Sequence, residues 1–202
     1  MDKLDMKKTL KEFYSARLDR VTAVDVPPAH FLVIDGASDP NTSQGYVDSL
    51  QALYSLAYTL KFSVKKAKGV DFVVMPLEGL WWVPDMRDFS TSRKEDWLWT
   101  MMIRMPDFIQ AEDVENARTA AAARKDLMKL PEIKLDIYHE GLAAQIMHIG
   151  PYSDEGTNIA KIHAWIDENG YKMQGKHHEI YMSDPNRTAP EKLKTVVRQP
   201  MQ

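Results

Sequence analysis

The chain states one pattern twice, and that repetition limits what it can fold into. Near the C-terminus, AAQIMHIGPYSDEGTNIAKIHAWIDENGY (Ala143 to Tyr171) is followed by HHEIYMSDP (His177 to Pro185) and KLKTVVRQP (Lys192 to Pro200). Upstream, HFLVIDGASDPNTSQGYVDSLQALYSLAYTL (His30 to Leu60), PLEGLWWVP (Pro76 to Pro84) and LWTMMIRMP (Leu98 to Pro106) stand in the same order. Each copy reads strand, turn, helix, glutamate-bearing strand, then a strand ending Arg-x-Pro, at Arg104 to Pro106 and at Arg198 to Pro200. Units of roughly 60 to 85 residues are too small to bury a stable core alone. The sequence therefore predicts an α+β fold: two pseudo-symmetric βαββ units forming an antiparallel sheet, with helices packed on it and a ligand cleft on the pseudo-two-fold axis. It reads as a single domain over residues 1–202, with a charged lead-in at 1–20, a first repeat at about 21–106 and a second at about 107–202.

Composition narrows the chemistry. There is no cysteine, so neither disulfides nor thiolate metal or nucleophile chemistry is available. The opening MDKLDMKKTLKEFY contains no apolar run of the kind a secretory signal needs, and no stretch is apolar enough to span a membrane. A cytoplasmic location is expected. With a net charge of −3 and scattered basic residues, nucleic acid is not an expected partner. The expected partner is a small-molecule ligand, and nothing in the sequence designates a protein partner.

Turn chemistry divides the chain. Phe31 to Ile34 is a short apolar run ending at Asp35-Gly36, which reads as a buried strand. Ser43 is placed to cap a helix whose Val47, Leu50, Tyr54 and Ala57 share one face, widened by Leu53, Leu56 and Leu60. Phe72 to Met75 reads as a strand running into Glu78-Gly79-Leu80-Trp81-Trp82, which Pro84 halts. The irregular stretch Asp85 to Asp96 is a candidate lid. Trp97 to Met105 alternates as a strand, and the alanine-rich Ala111 to Met128 reads as a helix. Asp154 is placed to cap a helix with Ile159, Ile162 and Ile166 as its core stripe, closed at Asn169-Gly170.

Several residues stand out as candidates for a binding cleft. In HHEIYMSDP, Glu179, Tyr181 and Ser183 share one strand face, and Ile180 and Met182 the other. If the Ile180 face packs on the helices, Glu179 and Tyr181 face the cleft; a solvated edge-strand glutamate is the alternative. Glu78 is expected to approach as the symmetry mate of Glu179. Desolvation would raise the pKa of a carboxylate in such a cleft, fitting it to relay a proton or to pair with a cation. Four of the five tryptophans, Trp81, Trp82, Trp97 and Trp99, fall within a short stretch around the candidate lid, and such rings stack on planar ligands and attract cations. Trp81 and Trp82 are adjacent on a strand and point to opposite faces, so only one of them is expected to line the cleft, with Trp82 on the Glu78 face unless a bulge at Gly79 reverses the two. Tyr46 and Tyr152 stand at matching helix entries, and Met101, with Met102 and Met105, offers adaptable packing. Each of these rings and methionines has core packing as its alternative. The six histidines include no HExxH pair, and no metal or cofactor is expected.

Three stretches, HIGPYSDEGTNIAKIHAWIDENGY, HHEIYMSDPNRTAPEKLKTVVRQP and PLEGLWW, resemble the GyrI-like small-molecule-binding family, over roughly residues 20 to 202. The resemblance is to its stand-alone members. It implies the pseudo-symmetric fold of the ligand-binding domains of the multidrug regulators BmrR and Rob. It further implies an aromatic-lined cleft with a buried acidic residue, suited to flat or cationic xenobiotics. One stand-alone subfamily opens the cyclopropane ring of DNA-alkylating natural products such as yatakemycin, a detoxification. Two readings follow from it. In one, an aromatic cage holds the alkylator while Glu179, with Tyr181 or Tyr152, activates water. In the other, the site binds and sequesters ligands, or serves a sensor, without chemistry; Glu78, Trp81, Trp82, Trp97, Trp99, Tyr46 and Met101 are the candidate ligand-binding residues in either. Inhibition of DNA gyrase, which the family name brings up, has no sequence feature behind it here.

Overall fold

In the computed structural model, residues 3–86 and 93–202 are described. Their elements run α1 (Met6–Thr9), α2 (Lys11–Tyr14), β1 (Thr22–Val26), β2 (Ala29–Ala37), α3 (Gln44–Lys68), β3 (Leu77–Trp82), β4 (Leu98–Arg104), α4 (Ala111–Ala122), β5 (Lys134–Tyr138), β6 (Gly141–Ile149), α5 (Gly156–Glu168), β7 (His177–Tyr181) and β8 (Lys194–Pro200). The order strand, helix, strand, strand stands twice, as β2-α3-β3-β4 and as β6-α5-β7-β8. The chain is an α+β protein with antiparallel strand pairing, and no described helix is long and apolar enough to cross a membrane. Contacts divide it into two compact units, one of Met1–Thr9, Ala29–Met75 and Trp82–Tyr138, the other of Leu10–Pro28, Pro76–Trp81 and His139–Gln202.

In the first unit β4 and β5 flank β2, both antiparallel to it. Helix α3 starts where Ser43 accepts a hydrogen bond from the Tyr46 N–H, and ends at Gly69 in the left-handed conformation. Its Leu53, Leu56 and Leu60 are fully buried, as a helix laid on a sheet requires. Helix α4 stops at Ala122, short of the expected Met128. Val114, Ala117 and Ala121 form its buried stripe, and a continued helix would turn Leu127 and Leu130 away from that side. Both leucines are buried instead, through a turn. The strand expected at Phe72 to Met75 is reduced to a single parallel bridge with Leu4; Pro76 lacks an N–H for a ladder, and regular pairing begins at Leu77.

In the second unit five strands run in the order β1-β6-β8-β7-β3, every neighbour antiparallel. On one face α5 buries Ile162 and Ile166 against Ala144, Ile146, Val197 and Met201. Its C-terminus closes as the sequence indicates, with Gly170 at φ 76° and the Tyr171 N–H bonded to the Ile166 carbonyl. Its N-terminus does not. Asp154 lies in a 3-10 turn (Tyr152–Asp154) and accepts from the Ser153 hydroxyl, and Glu155 is the residue that precedes the helix. On the opposite face Phe13 and Tyr14 of α2 are buried beside β1.

Candidate functional site

Strand alternation and register build the site on β7. Glu179 pairs with Gly79 on β3 and with Val197 on β8, Tyr181 with Leu77 and Thr195, and His177 with Trp81. Because Val197 packs against α5, Glu179, Tyr181 and His177 belong to the helix-covered face, and Ile180 faces the other way. This reverses the condition set from sequence, in which Ile180 was to face the helices. The glutamate nevertheless meets aromatic neighbours on its own side.

Glu179 is densely held. Its Oε1 lies 3.2 Å from His177 Nε2, and its Oε2 accepts a 2.7 Å hydrogen bond from the Tyr181 hydroxyl. That hydroxyl accepts in turn from Trp81 Nε1 at 3.1 Å. Glu155, itself 3% exposed, is a second buried carboxyl whose influence reaches both Glu179 and Tyr152. Burial pushes the Glu179 carboxyl up, but the hydrogen bonds from His177, Tyr181 and Glu155 and the charge of His177 outweigh it and hold the group below the usual carboxylate range. The raised pKa expected from desolvation alone is thus corrected: the environment is buried but not apolar.

Tyr152 is 40% exposed and meets Tyr181 edge-to-face, with ring centroids 5.5 Å apart at 77°. Burial, then the charges of Glu155, Glu179 and Asp184, push its phenol up to about 12, so it keeps its proton and can donate a hydrogen bond. The turn that carries Tyr152 and Glu155 is latched by His148. Its Nε2 lies 3.0 Å from the Pro151 carbonyl, and its Nδ1 3.1 Å from Asn158 Nδ2 on α5. The carbonyl faces Nε2 and the amide nitrogen faces Nδ1, so Nε2 is placed to donate and Nδ1 to accept. Half-buried His163, on α5, is shifted down by burial and by His177.

A separate aromatic cluster sits inside the first unit. Tyr46 meets Trp99 edge-to-face at 5.1 Å, and its hydroxyl lies 3.6 Å from the Met101 sulfur. Trp99 Nε1 donates to the Ser38 hydroxyl at 3.4 Å, and its ring lies over Gly36, where a Cβ would come within 2.2 Å of it. Trp97, Trp99 and Met101 are all buried, so these are rings and sulfur of that unit's core, with half-buried Tyr46 at the edge. Strand β4 buries Met102 as deeply as Met101, which is why its alternation did not mark a wet face. Trp82 is half-buried and Trp81 buried, on opposite faces of β3 as expected. Most of the candidate lid, residues 87–92, lies outside the described residues.

Glu78 is not brought to Glu179. It pairs with Ile180, so its side chain lies on the other face of the ladder, 2% exposed. There Tyr14 donates to it at 2.8 Å and His178 Nε2 lies 3.1 Å away. His178 Nδ1 meets Glu140 at 2.8 Å, and Arg198 Nη1 meets the other oxygen of Glu140 at 2.7 Å. Arg198 also donates to Gln145 Oε1 and to the Phe13 carbonyl, and Gln145 donates to the Glu12 carbonyl. Burial opposes the His178 cation, but the charge of Glu140 and hydrogen bonds to Glu140 and Glu78 raise it to about 9. Glu140, which burial alone would raise, is brought down to about 2 by His178 and Arg198. The charge of Glu140 is thus met by two buried cations, His178 and Arg198. Sequence reasoning missed this network, and also missed His177 and Glu155. The repeated Arg-x-Pro ending was the one signal for Arg198; Glu155 stands next to Asp154 in the sequence, and only burial distinguishes them.

The GyrI-like small molecule binding domain matches residues 20–201. A solved structure of an uncharacterized conserved protein from Listeria innocua is 38% identical, with a TM-score of 0.92 over 99% of this chain and 100% of its own. A protein from the same organism described as a hydrolase is 37% identical, with a TM-score of 0.88 over the whole of both chains. The C-terminal domain of EcmrR shares the fold at 13% identity, with a TM-score of 0.57 over 91% of this chain and 97% of its own. No curated protein matches the chain. With the match running through both copies of the repeated pattern and through the Glu179 strand, the chain belongs to the GyrI-like small-molecule-binding domain family.

Proposed function

We propose that the Glu179 site takes up planar hydrophobic or cationic xenobiotics and adds water to a strained, electrophilic ring, a detoxifying hydrolysis. The observation that carries this reading is a carboxylate held ionised, its side chain 12% exposed, beside the rings of Tyr181, Tyr152 and Trp81. Relatives described as hydrolases, 37% and 36% identical over essentially the whole chain, support it. With no cysteine in the sequence, water bound at Glu179 is the natural nucleophile. A cyclopropane conjugated to a carbonyl suits a weak base, because ring strain supplies driving force. The water oxygen bonds to a ring carbon, and the ring C–C bond breaks with its electron pair passing to the carbonyl. Glu179 takes the water proton and returns one to the resulting oxyanion. Tyr152, as a protonated phenol, donates a hydrogen bond to that developing charge.

A second reading has its own support. A carboxylate held below the usual range is a better counter-ion than base, and rings beside it favour cations. In that case the site only binds. Incubation of the purified chain with a spirocyclopropyl cyclohexadienone, followed by mass spectrometry, separates the two. Gain of one water, absent with Glu179→Gln, supports hydrolysis; unchanged compound with retained binding supports the counter-ion reading.

A further inference from the structure

We propose that His148 is a positioning residue of the Glu179 site: it clamps the turn that presents Tyr152, and through Tyr152 it sets the placement of Tyr181 and Glu179 against a ligand. This rests on the reading of Glu179 as the working carboxylate. His148 lies near the end of β6, 5% exposed, and pairs with Thr195 of β8, which pairs in turn with Tyr181 of β7. The three residues therefore stand in one row on the α5-covered face, with His148 and Tyr181 two strands, about 10 Å, apart. At that separation the imidazole acts on the phenol across the turn that follows β6.

The clamp closes on the Pro151 carbonyl. That oxygen accepts the Asp154 N–H at 3.0 Å, the bond that shapes the 3-10 turn Tyr152–Asp154, and His148 Nε2 lies 3.0 Å from it as well. Two donors on one carbonyl use both of its lone pairs. Gly150, at φ 138°, brings the chain back so close that a Cβ there would lie 3.3 Å from Nε2. Across the ring, Nδ1 lies 3.1 Å from Asn158 Nδ2, and Asn158 Oδ1 accepts from Lys161 at 3.4 Å. The lysine has no acceptor, so it turns the amide nitrogen toward the imidazole, and Nε2 is left to donate to Pro151. One ring thus pins β6, the turn and the first part of α5 together. Tyr152 needs that support, because a ring 40% exposed has little packing of its own to hold it. Its edge contact with Tyr181, centroids 5.5 Å apart, and the 2.7 Å bond from Tyr181 to Glu179 carry the effect to the carboxylate. His148 therefore acts through Tyr152 and not on the ligand itself.

The test uses two amides, each of which stands in for one imidazole nitrogen. In His148→Gln the side-chain nitrogen reaches the place of Nε2 and keeps the bond to Pro151; in His148→Asn it falls at the place of Nδ1, and that bond is lost. NMR of the full chain with labelled tyrosine is read beside steady-state addition of water to the spirocyclopropyl cyclohexadienone. We expect His148→Asn to shift the ring resonances of Tyr152 and Tyr181 and to lower kcat by about 10-fold or more with KM within a few-fold, and His148→Gln to restore both. In a Tyr152→Ala background, His148→Asn should lower kcat by less than about 2-fold more, because the ring through which it acts is gone. Tyrosine resonances that His148→Asn leaves unmoved, a His148→Gln that behaves like His148→Asn, or losses from His148→Asn and Tyr152→Ala that simply multiply, would overturn the proposal. If His148→Asn does not fold, Asn158→Ala, which removes the partner that fixes the ring, should move the same two resonances and is read in the same way. If the wild-type chain adds no water, the hydrolytic reading fails alone, and the tyrosine spectra still decide the role of His148.

Discussion

Glu78 and Glu179 sit on adjacent strands one ladder position apart, yet on opposite faces of the sheet, because Glu179 pairs with Gly79 and Glu78 with Ile180. Two glutamates that the sequence presents as counterparts therefore do different work. One meets rings and a second carboxyl near the start of α5; the other completes a charge network beneath α2.

The His178–Glu140 pair predicts a stability plateau. His178 rises from 6.5 to about 9 on folding, so its contribution is complete below pH 6.5 and is lost as pH rises through about 9. That span corresponds to about 3 kcal/mol. Glu140 falls from 4.5 to about 2, so its contribution is complete above pH 4.5 and is lost as pH drops through about 2. Denaturant midpoints measured across pH should be highest between about 4.5 and 6.5. With His178→Gln the baseline should drop and the alkaline decline disappear.

Removing one member of that network should cost more than removing a surface charge. Arg198→Met leaves Glu140 with a single cation and strips a donor from the Phe13 carbonyl. A loss of about 3 to 5 kcal/mol is expected from urea titration. Limited proteolysis should then cut first near residues 10–20. Equal midpoints for variant and wild type would refute the account.

In the first unit, Gly36→Ala places a methyl within 2.2 Å of the Trp99 ring. The ring cannot retreat without giving up its edge contact with Tyr46. A destabilisation of about 1 to 3 kcal/mol is expected, with a shift in tryptophan fluorescence that reports the displaced ring.

At the site, Glu179→Gln should lower turnover by about 10²-fold while neutral planar ligands keep their affinity within a few-fold. Cationic ligands of the same shape should bind more weakly. If fluorescence titration shows both kinds unaffected, the site lies elsewhere.

The strand-helix-strand-strand order was legible because period and turn chemistry are local. Ser43, Gly69 and Gly170 punctuate their helices as their residue types dictate. What failed was whatever depended on three-dimensional company. The pKa of Glu179 follows from His177 two residues away and Glu155 far upstream, and no periodicity announces that pairing. The tryptophan cluster looked like one site, but Trp97 and Trp99 pack into the first unit's core, whereas Trp81 bonds to Tyr181. Glu78 kept its sequence signal as a buried acid, but the register assigned it to the other face.

The region shared with the family begins at residue 20, but Glu12, Phe13 and Tyr14 supply two carbonyls and a hydroxyl to Gln145, Arg198 and Glu78. An expression clone trimmed to the shared boundary would thus remove a lining, not a tail. It would strip buried partners from Gln145, Arg198 and Glu78, and the shortened product should need refolding aids or precipitate where the longer one does not.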